Sequence, residues 1–150
     1  MIMNSSEYLM YNETDIRKVA KLDGWVVDNN NPSMMTKVFR NNVNTLHPGE
    51  MRYDTKVNWI DPVIYAINRD SVLYEIAVLD KFVVLTNKTI KGCIYVFPFI
   101  KYPERIRAMF MAVVTFIRNT EPTGELEEYL IRANNRRINS NNEAYYNEPQ

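Results

Sequence analysis

Side chains that commonly carry out covalent chemistry are scarce in this chain of 150 residues, which contains one histidine, His47, and one cysteine, Cys93. A thiol nucleophile would need a histidine base beside it. His47 is followed by Pro48 and Gly49, a sequence typical of a turn after a helix, and Cys93 stands among apolar residues that favour a buried, unreactive thiol. Zinc needs three or four ligands at compatible spacing, which these two residues do not supply. We therefore expect no enzyme activity.

Acidic residues offer one catalytic alternative. Asp54, with Glu50 and Asp61 near it in the sequence and Lys56 two residues later, would suit the carboxylate cluster of a magnesium-dependent nuclease. The same residues are typical of a strand whose charged face lies in water, and we prefer that interpretation. The glycine-rich sequences GxxxxGKS, GxxxxGKT and GxGxxG, which bind phosphates, do not occur. We therefore expect no metal site and no cofactor.

Basic residues offer the best candidate for binding RNA or DNA. They form two groups along the chain, namely Lys101, Arg105 and Arg107, and then Arg132, Arg136 and Arg137. If the two groups lie close together, they would neutralise several phosphates. The overall charge does not favour this function, because 18 Lys and Arg are balanced by 18 Asp and Glu. A helix whose last turn carries positive charge explains the second group equally well.

The N-terminal segment offers a candidate for binding proteins. Tyr8, Leu9 and Tyr11 end a polar stretch, and aromatic residues are enriched in the cores of interfaces. We expect residues 1–11 to form a flexible arm, which either docks on its own domain or adds to a neighbouring subunit. These features predict a protein that binds a protein partner or assembles into a homo-oligomer, as a small viral or phage structural or accessory factor would. A module that binds RNA or DNA is the alternative.

The segment 103–119 gives the clearest prediction among the elements that must position these residues. Pro103 suits the first turn of a helix. Apolar residues then recur at spacings of three and four, namely Ile106, Met109, Phe110, Val113, Val114 and Ile117. Most of the other positions are apolar too, so we predict a central helix that is buried on more than one face. The apolar run is shorter than the roughly 18–20 residues of a membrane span, and we expect none.

The remaining pattern predicts an α+β fold, in which a small antiparallel sheet packs against the central helix and additional helices lie at the periphery. Alternation of apolar and charged residues predicts a strand at 50–60, and β-branched runs predict strands at 82–86 and 94–100. Segment 71–80 fits a helix or a strand. A short strand is predicted at 25–27, and helical spacing predicts peripheral helices at 12–22, 32–46, 62–67 and 124–138.

The length predicts a single globular domain, which we place at residues 12–138. Residues 139–150 contain almost no aliphatic side chain, so we expect a disordered C-terminal tail. A single cysteine and an N-terminus without the features of a signal peptide predict a cytoplasmic, intracellular protein, located in the host cell if it is viral.

Overall fold

The computed structural model describes residues 13–39 and 41–147, and within them the chain forms four helices and two antiparallel sheets of three strands each. The helices are α1 (Glu13–Leu22), α2 (Val57–Asp70), α3 (Tyr102–Thr120) and α4 (Glu125–Asn147). The strands are β1 (Val26–Val27), β2 (Met35–Phe39), β3 (Asn42–Leu46), β4 (Tyr74–Val78), β5 (Phe82–Asn87) and β6 (Ile94–Pro98). The predicted α+β class is confirmed. The predicted N-terminal arm, with Tyr8, Leu9 and Tyr11, lies outside the described residues.

Helix α3 forms the centre of the core, as predicted. Pro103 lies in the first turn of α3, and the side chains of this helix are buried almost without interruption from Ile106 to Ile117. One side of α3 contacts the sheet β4-β5-β6, and other sides contact α1, α2 and α4. The Phe116 ring meets the rings of Tyr74 and Tyr129 edge to face, with centroid distances of 5.7 and 5.4 Å. Phe116 therefore links α3 to the sheet and to α4.

The sheet β4-β5-β6 contains two of the three predicted strands. Strands β5 and β6 confirm the predictions at 82–86 and 94–100, and the ambiguous segment 71–80 contains β4. Pairing places Ile76 opposite Leu85, and Val83 opposite Phe97, so that these side chains share the face that packs on α3. The alternation along β5 therefore matches a sheet with one buried face.

The predicted strand at 50–60 is wrong. Met51 and Tyr53 are buried as the alternation requires, but they lie in a turn that follows a 3₁₀ turn at Pro48–Glu50. The Tyr53 hydroxyl donates a 2.6 Å hydrogen bond to Asp23 Oδ2, which ties this turn to the end of α1. From Val57 onward the chain is helical, because the apolar spacing of α2 extends back past Pro62. The predicted helix at 62–67 therefore exists but begins earlier.

The predicted helix at 32–46 is also wrong, because this segment forms the hairpin of β2 and β3. Its apolar residues fit helical spacing, but Val38 and Val43 pair directly across the two strands. Asn41 at the turn has a φ of 68°, in the left-handed region that asparagine tolerates better than most residues. The predicted short strand near residue 26 is present as β1, and α1 confirms the predicted first helix.

The last helix extends beyond its predicted end. Gly124, with a φ of +81°, closes the turn after α3, and α4 places Tyr129 and Ala133 in the core. The backbone is helical up to Asn147, although residue 138 was the predicted limit of the domain. Residues 148–150 lie outside the described part of the chain, so the division into arm, domain and tail stays a prediction. None of the helices within the described residues is both long enough and apolar enough to cross a membrane.

Candidate functional site

His47 and Cys93, the two residues that sequence reasoning tested as catalytic groups, have local structural surroundings. His47 Nδ1 accepts a 2.9 Å hydrogen bond from the Gly49 N–H, and the His47 N–H donates to Glu50 Oε1 at 3.0 Å. Together these bonds form a capping box at the start of the 3₁₀ turn. Cys93 lies in the connection before β6 and is half-buried rather than buried within a strand. Each residue therefore belongs to a turn of its own.

The three carboxylates of the candidate magnesium cluster do not lie on a strand. Asp54 lies in the turn before α2, Asp61 is exposed on α2, and Glu50 caps the 3₁₀ turn. Across residues 13–39 and 41–147, no three His, Cys, Asp or Glu side chains are grouped so that they could hold a metal ion. The polar strand face that was predicted to carry Asp54 is not formed, because Asp54 lies in a turn.

The structure brings two of the six predicted basic residues together at the end of α2. Arg136 Nε donates a 2.7 Å hydrogen bond to Asp70 Oδ1, and Arg132 Nε donates a 2.9 Å bond to the Asp70 carbonyl. Arg69, which sequence reasoning did not single out, donates to the same carboxylate, with Nη2 at 2.8 Å from Oδ2. Three guanidinium groups therefore gather around one aspartate.

Asp70 is the buried centre of this cluster, since only 1% of its side-chain surface is exposed. Burial alone would raise the pKa of Asp70, but hydrogen bonds from Arg69 and Arg136 outweigh burial and hold that pKa below its ordinary value. The same pairing raises the pKa of Arg69. The carboxylate is therefore charged at neutral pH and fixes the orientation of the surrounding guanidinium groups.

The other predicted basic residues have different surroundings. Arg137 Nη2 donates a 3.1 Å hydrogen bond to the Leu22 carbonyl at the end of α1. Lys101 precedes α3 and is exposed, while Arg105 lies over the Tyr102 ring at 5.9 Å from its centroid. Arg107 is half-buried in the second turn of α3. The six residues therefore occupy three environments, each with contacts of its own.

A second candidate surface lies on the sheet β1-β2-β3. Cross-strand pairing places Val26 opposite Thr36, Thr36 opposite Thr45, and Val38 opposite Val43. Alternation along each strand then directs all five side chains to one side, which we call the valine face. Val26, Val38 and Val43 on it are 60%, 57% and 63% exposed. An apolar, β-branched sheet face is thus open to solvent.

Charge is missing from the valine face because of the strand register. Lys37, the one charged residue within the three strands, points to the opposite side and lies 3.4 Å from Asp23. Strand β3 pairs with β2 alone among the described strands, so its other edge is free, and its sequence Asn-Val-Asn-Thr-Leu contains neither lysine nor proline. Edge strands of soluble proteins usually carry lysine or proline residues that prevent pairing with another chain.

Sequence reasoning missed the valine face and the Arg69 and Asp70 part of the arginine cluster, for identifiable reasons. The valine face was missed because helical spacing predicts a helix at 32–46, although Asn41, a residue type that favours turns, stands between two segments that contain valine and threonine. Arg69 and Asp70 carry no local signal, because their partners lie on α4. Comparisons of the chain with models of protein families, with curated proteins and with solved structures found no match.

Proposed function

We propose that this protein acts without catalysis, by binding to other proteins and to itself through the valine face. The observation that carries the proposal is the exposure of three valines on a sheet face that bears no charge. Exposed apolar surface that is grouped rather than scattered marks interaction sites in soluble proteins. A small structural or accessory factor of a virus or phage would act in this way.

A second copy of the chain is the partner that we propose for the valine face. Two such faces are compatible with each other, because both are apolar, β-branched and uncharged. Burying the remaining exposed part of each valine contributes about 1 kcal/mol per side chain. Six valines together contribute about 6 kcal/mol before the entropic cost of association, so we expect a weak contact that is detected only at high protein concentration.

The open edge of β3 supports a further contact of the same kind. An extended segment of another chain can add to a free strand edge through main-chain hydrogen bonds. The N-terminal residues Tyr8, Leu9 and Tyr11 remain the sequence-based candidates for such a segment. Together, a face contact and an edge contact would allow assemblies larger than a dimer.

Sedimentation equilibrium on the full chain, at concentrations up to about 1 mM, tests the proposal. The unaltered protein is expected to show an average mass that rises with concentration. The variant Val43→Lys places a charge in the centre of the valine face and should weaken association at least tenfold. The matched control is Ile100→Lys, because Ile100 is 94% exposed and lies outside this sheet, between β6 and α3.

Two outcomes would reject the proposal. One is a monomeric mass for the unaltered chain over the whole concentration range. The other is equal association by Val43→Lys and by the unaltered chain. Deletion of residues 1–11 tests the contribution of the arm separately, since loss of association in that variant alone would assign the contact to the arm rather than to the valine face.

A further inference from the structure

We propose that an open groove between the end of α2 and the middle of α4 binds a phosphate group. The groove has a volume of about 530 Å³. We call it the basic groove, and its lining consists of Arg69, Asp70, Ser71, Val72, Arg132, Asn135 and Arg136. This inference goes beyond self-association, because none of these residues belongs to the valine face.

Asp70 orients the guanidinium groups of Arg132 and Arg136 and leaves part of each group available to a ligand. Arg136 and Arg132 each contact Asp70 through Nε, at 2.7 and 2.9 Å. For both arginines, the terminal Nη1 and Nη2 groups have no hydrogen-bond acceptor among the described residues. A guanidinium that is held by one edge and open at the other is prepared to bind an oxyanion at a low entropic cost.

The number of arginines exceeds what the internal ion pair requires. Neutralising the Asp70 carboxylate needs one guanidinium, whereas Arg69 and Arg136 both contact it and Arg132 contacts its carbonyl. Three positive charges against one negative charge leave the cluster at +2. The Lys88 ammonium lies 3.3 Å from the Ser71 carbonyl and adds to the positive potential. This charge complements the negative charge of a phosphate group.

The basic groove also contains uncharged side chains that can donate hydrogen bonds to phosphate oxygens. Ser71 Oγ accepts a 3.1 Å hydrogen bond from the Tyr74 N–H, so the Ser71 hydroxyl proton remains available for donation. Asn135 adds a side-chain amide. Glu125 and Glu128 line a neighbouring pocket that shares Ser71, Val72 and Arg132 with the basic groove but not Arg136, which favours a phosphate position nearer to Arg136. The phosphate would come from a small phosphorylated molecule or from the backbone of a nucleic acid.

Substitution of Val72 tests the basic groove without touching any contact of Asp70. Val72 is 64% exposed at the groove, so Val72→Glu and Val72→Gln should both fold. The two side chains have nearly the same shape, but only glutamate repels an anion. We expect Val72→Glu to bind phosphate at least tenfold more weakly than the unaltered chain, and Val72→Gln to bind it about equally well.

The small-anion probes are inorganic phosphate and pyrophosphate, whose binding is measured by calorimetry. The nucleic-acid probe is a labelled single-stranded oligonucleotide, whose binding is measured by fluorescence anisotropy at low salt. Binding of the small anions alone identifies a small phosphorylated ligand. Oligonucleotide binding that weakens with salt and is weakened by Val72→Glu identifies a nucleic-acid backbone. The proposal is overturned if no probe binds, or if Val72→Glu and Val72→Gln bind equally. Repeating the measurement in Val43→Lys keeps it independent of self-association.

Discussion

At the level of single residues, Asp70 shows how one buried charge can join distant parts of a chain. It terminates α2, and it receives hydrogen bonds both from its neighbour Arg69 and from Arg136, which is 66 positions away. Both side-chain oxygens are engaged, which offsets much of the cost of removing a carboxylate from water. An aspartate in this position holds α4 against α2.

We predict that Asp70→Asn destabilises the fold by about 2–4 kcal/mol at pH 7, because it leaves two guanidinium groups without their shared counter-charge. Since the pKa of Asp70 is lowered in the folded state, its stabilisation is complete above the ordinary value of 3.8 and disappears as pH falls through the lower folded value. Urea unfolding at several pH values should therefore show the difference between the two proteins shrinking below about pH 4.

Asp61→Asn is the matched control for this prediction, because Asp61 is an exposed aspartate on the same helix. We expect it to change the free energy of unfolding by less than about 0.5 kcal/mol. Equal stability of Asp70→Asn and Asp61→Asn at pH 7 would show that the Asp70 cluster contributes nothing to the fold.

At the level of elements, the end of α1 depends on Gly24 and Arg137. Gly24 has a φ of +95°, and a Cβ atom added there would lie 2.7 Å from Arg137 Nη1. Arg137 in turn donates to the Leu22 carbonyl, so the arginine that sequence reasoning assigned to nucleic acid caps a helix. Glycine is required both for the backbone conformation and for the approach of α4.

A pair of substitutions separates these two requirements. Gly124 also has a positive φ, of +81°, but nothing lies within 4 Å of its added Cβ. We predict that Gly124→Ala costs about 1 kcal/mol through the backbone alone, and that Gly24→Ala costs about 1–2 kcal/mol more, because Arg137 must also move. Chemical denaturation of the two variants measures the difference. Equal losses would mean that Arg137 adapts without cost.

The elements that sequence reasoning misassigned are short and ambiguous in their periodicity. Met35, Val38, Phe39, Val43 and Leu46 recur at spacings of three, one, four and three, which suits a helix, although the same residues form a hairpin. The hairpin forms because Asn41 turns the chain and because β1 provides a second partner for β2. Pairing with the two neighbouring strands, rather than the spacing of the apolar residues, thus decided the outcome.

At the level of the whole molecule, the two candidate surfaces lie on separate elements and rely on different forces. The valine face depends on apolar burial, whereas the basic groove depends on charge. We predict that raising sodium chloride from about 50 to about 500 mM leaves self-association unchanged or slightly stronger, and weakens binding of the phosphate probe that occupies the basic groove. Mass measurements, with calorimetry or anisotropy for the probe, at the two salt concentrations test this. Dissociation of the oligomer by salt would contradict an apolar contact.

Helix α3 and strands β5 and β6 could be predicted from residues within about twenty positions of one another, because their apolar patterns are long or strongly β-branched. The existence of an α+β core followed from those elements. The valine face and the basic groove could not be predicted in the same way. The first depends on which strands pair and in which register, and the second on contacts between α2 and α4 across 62 and 66 positions. Such contacts leave no periodic trace in the sequence, because they form only when the chain closes around α3 and brings remote charges into reach.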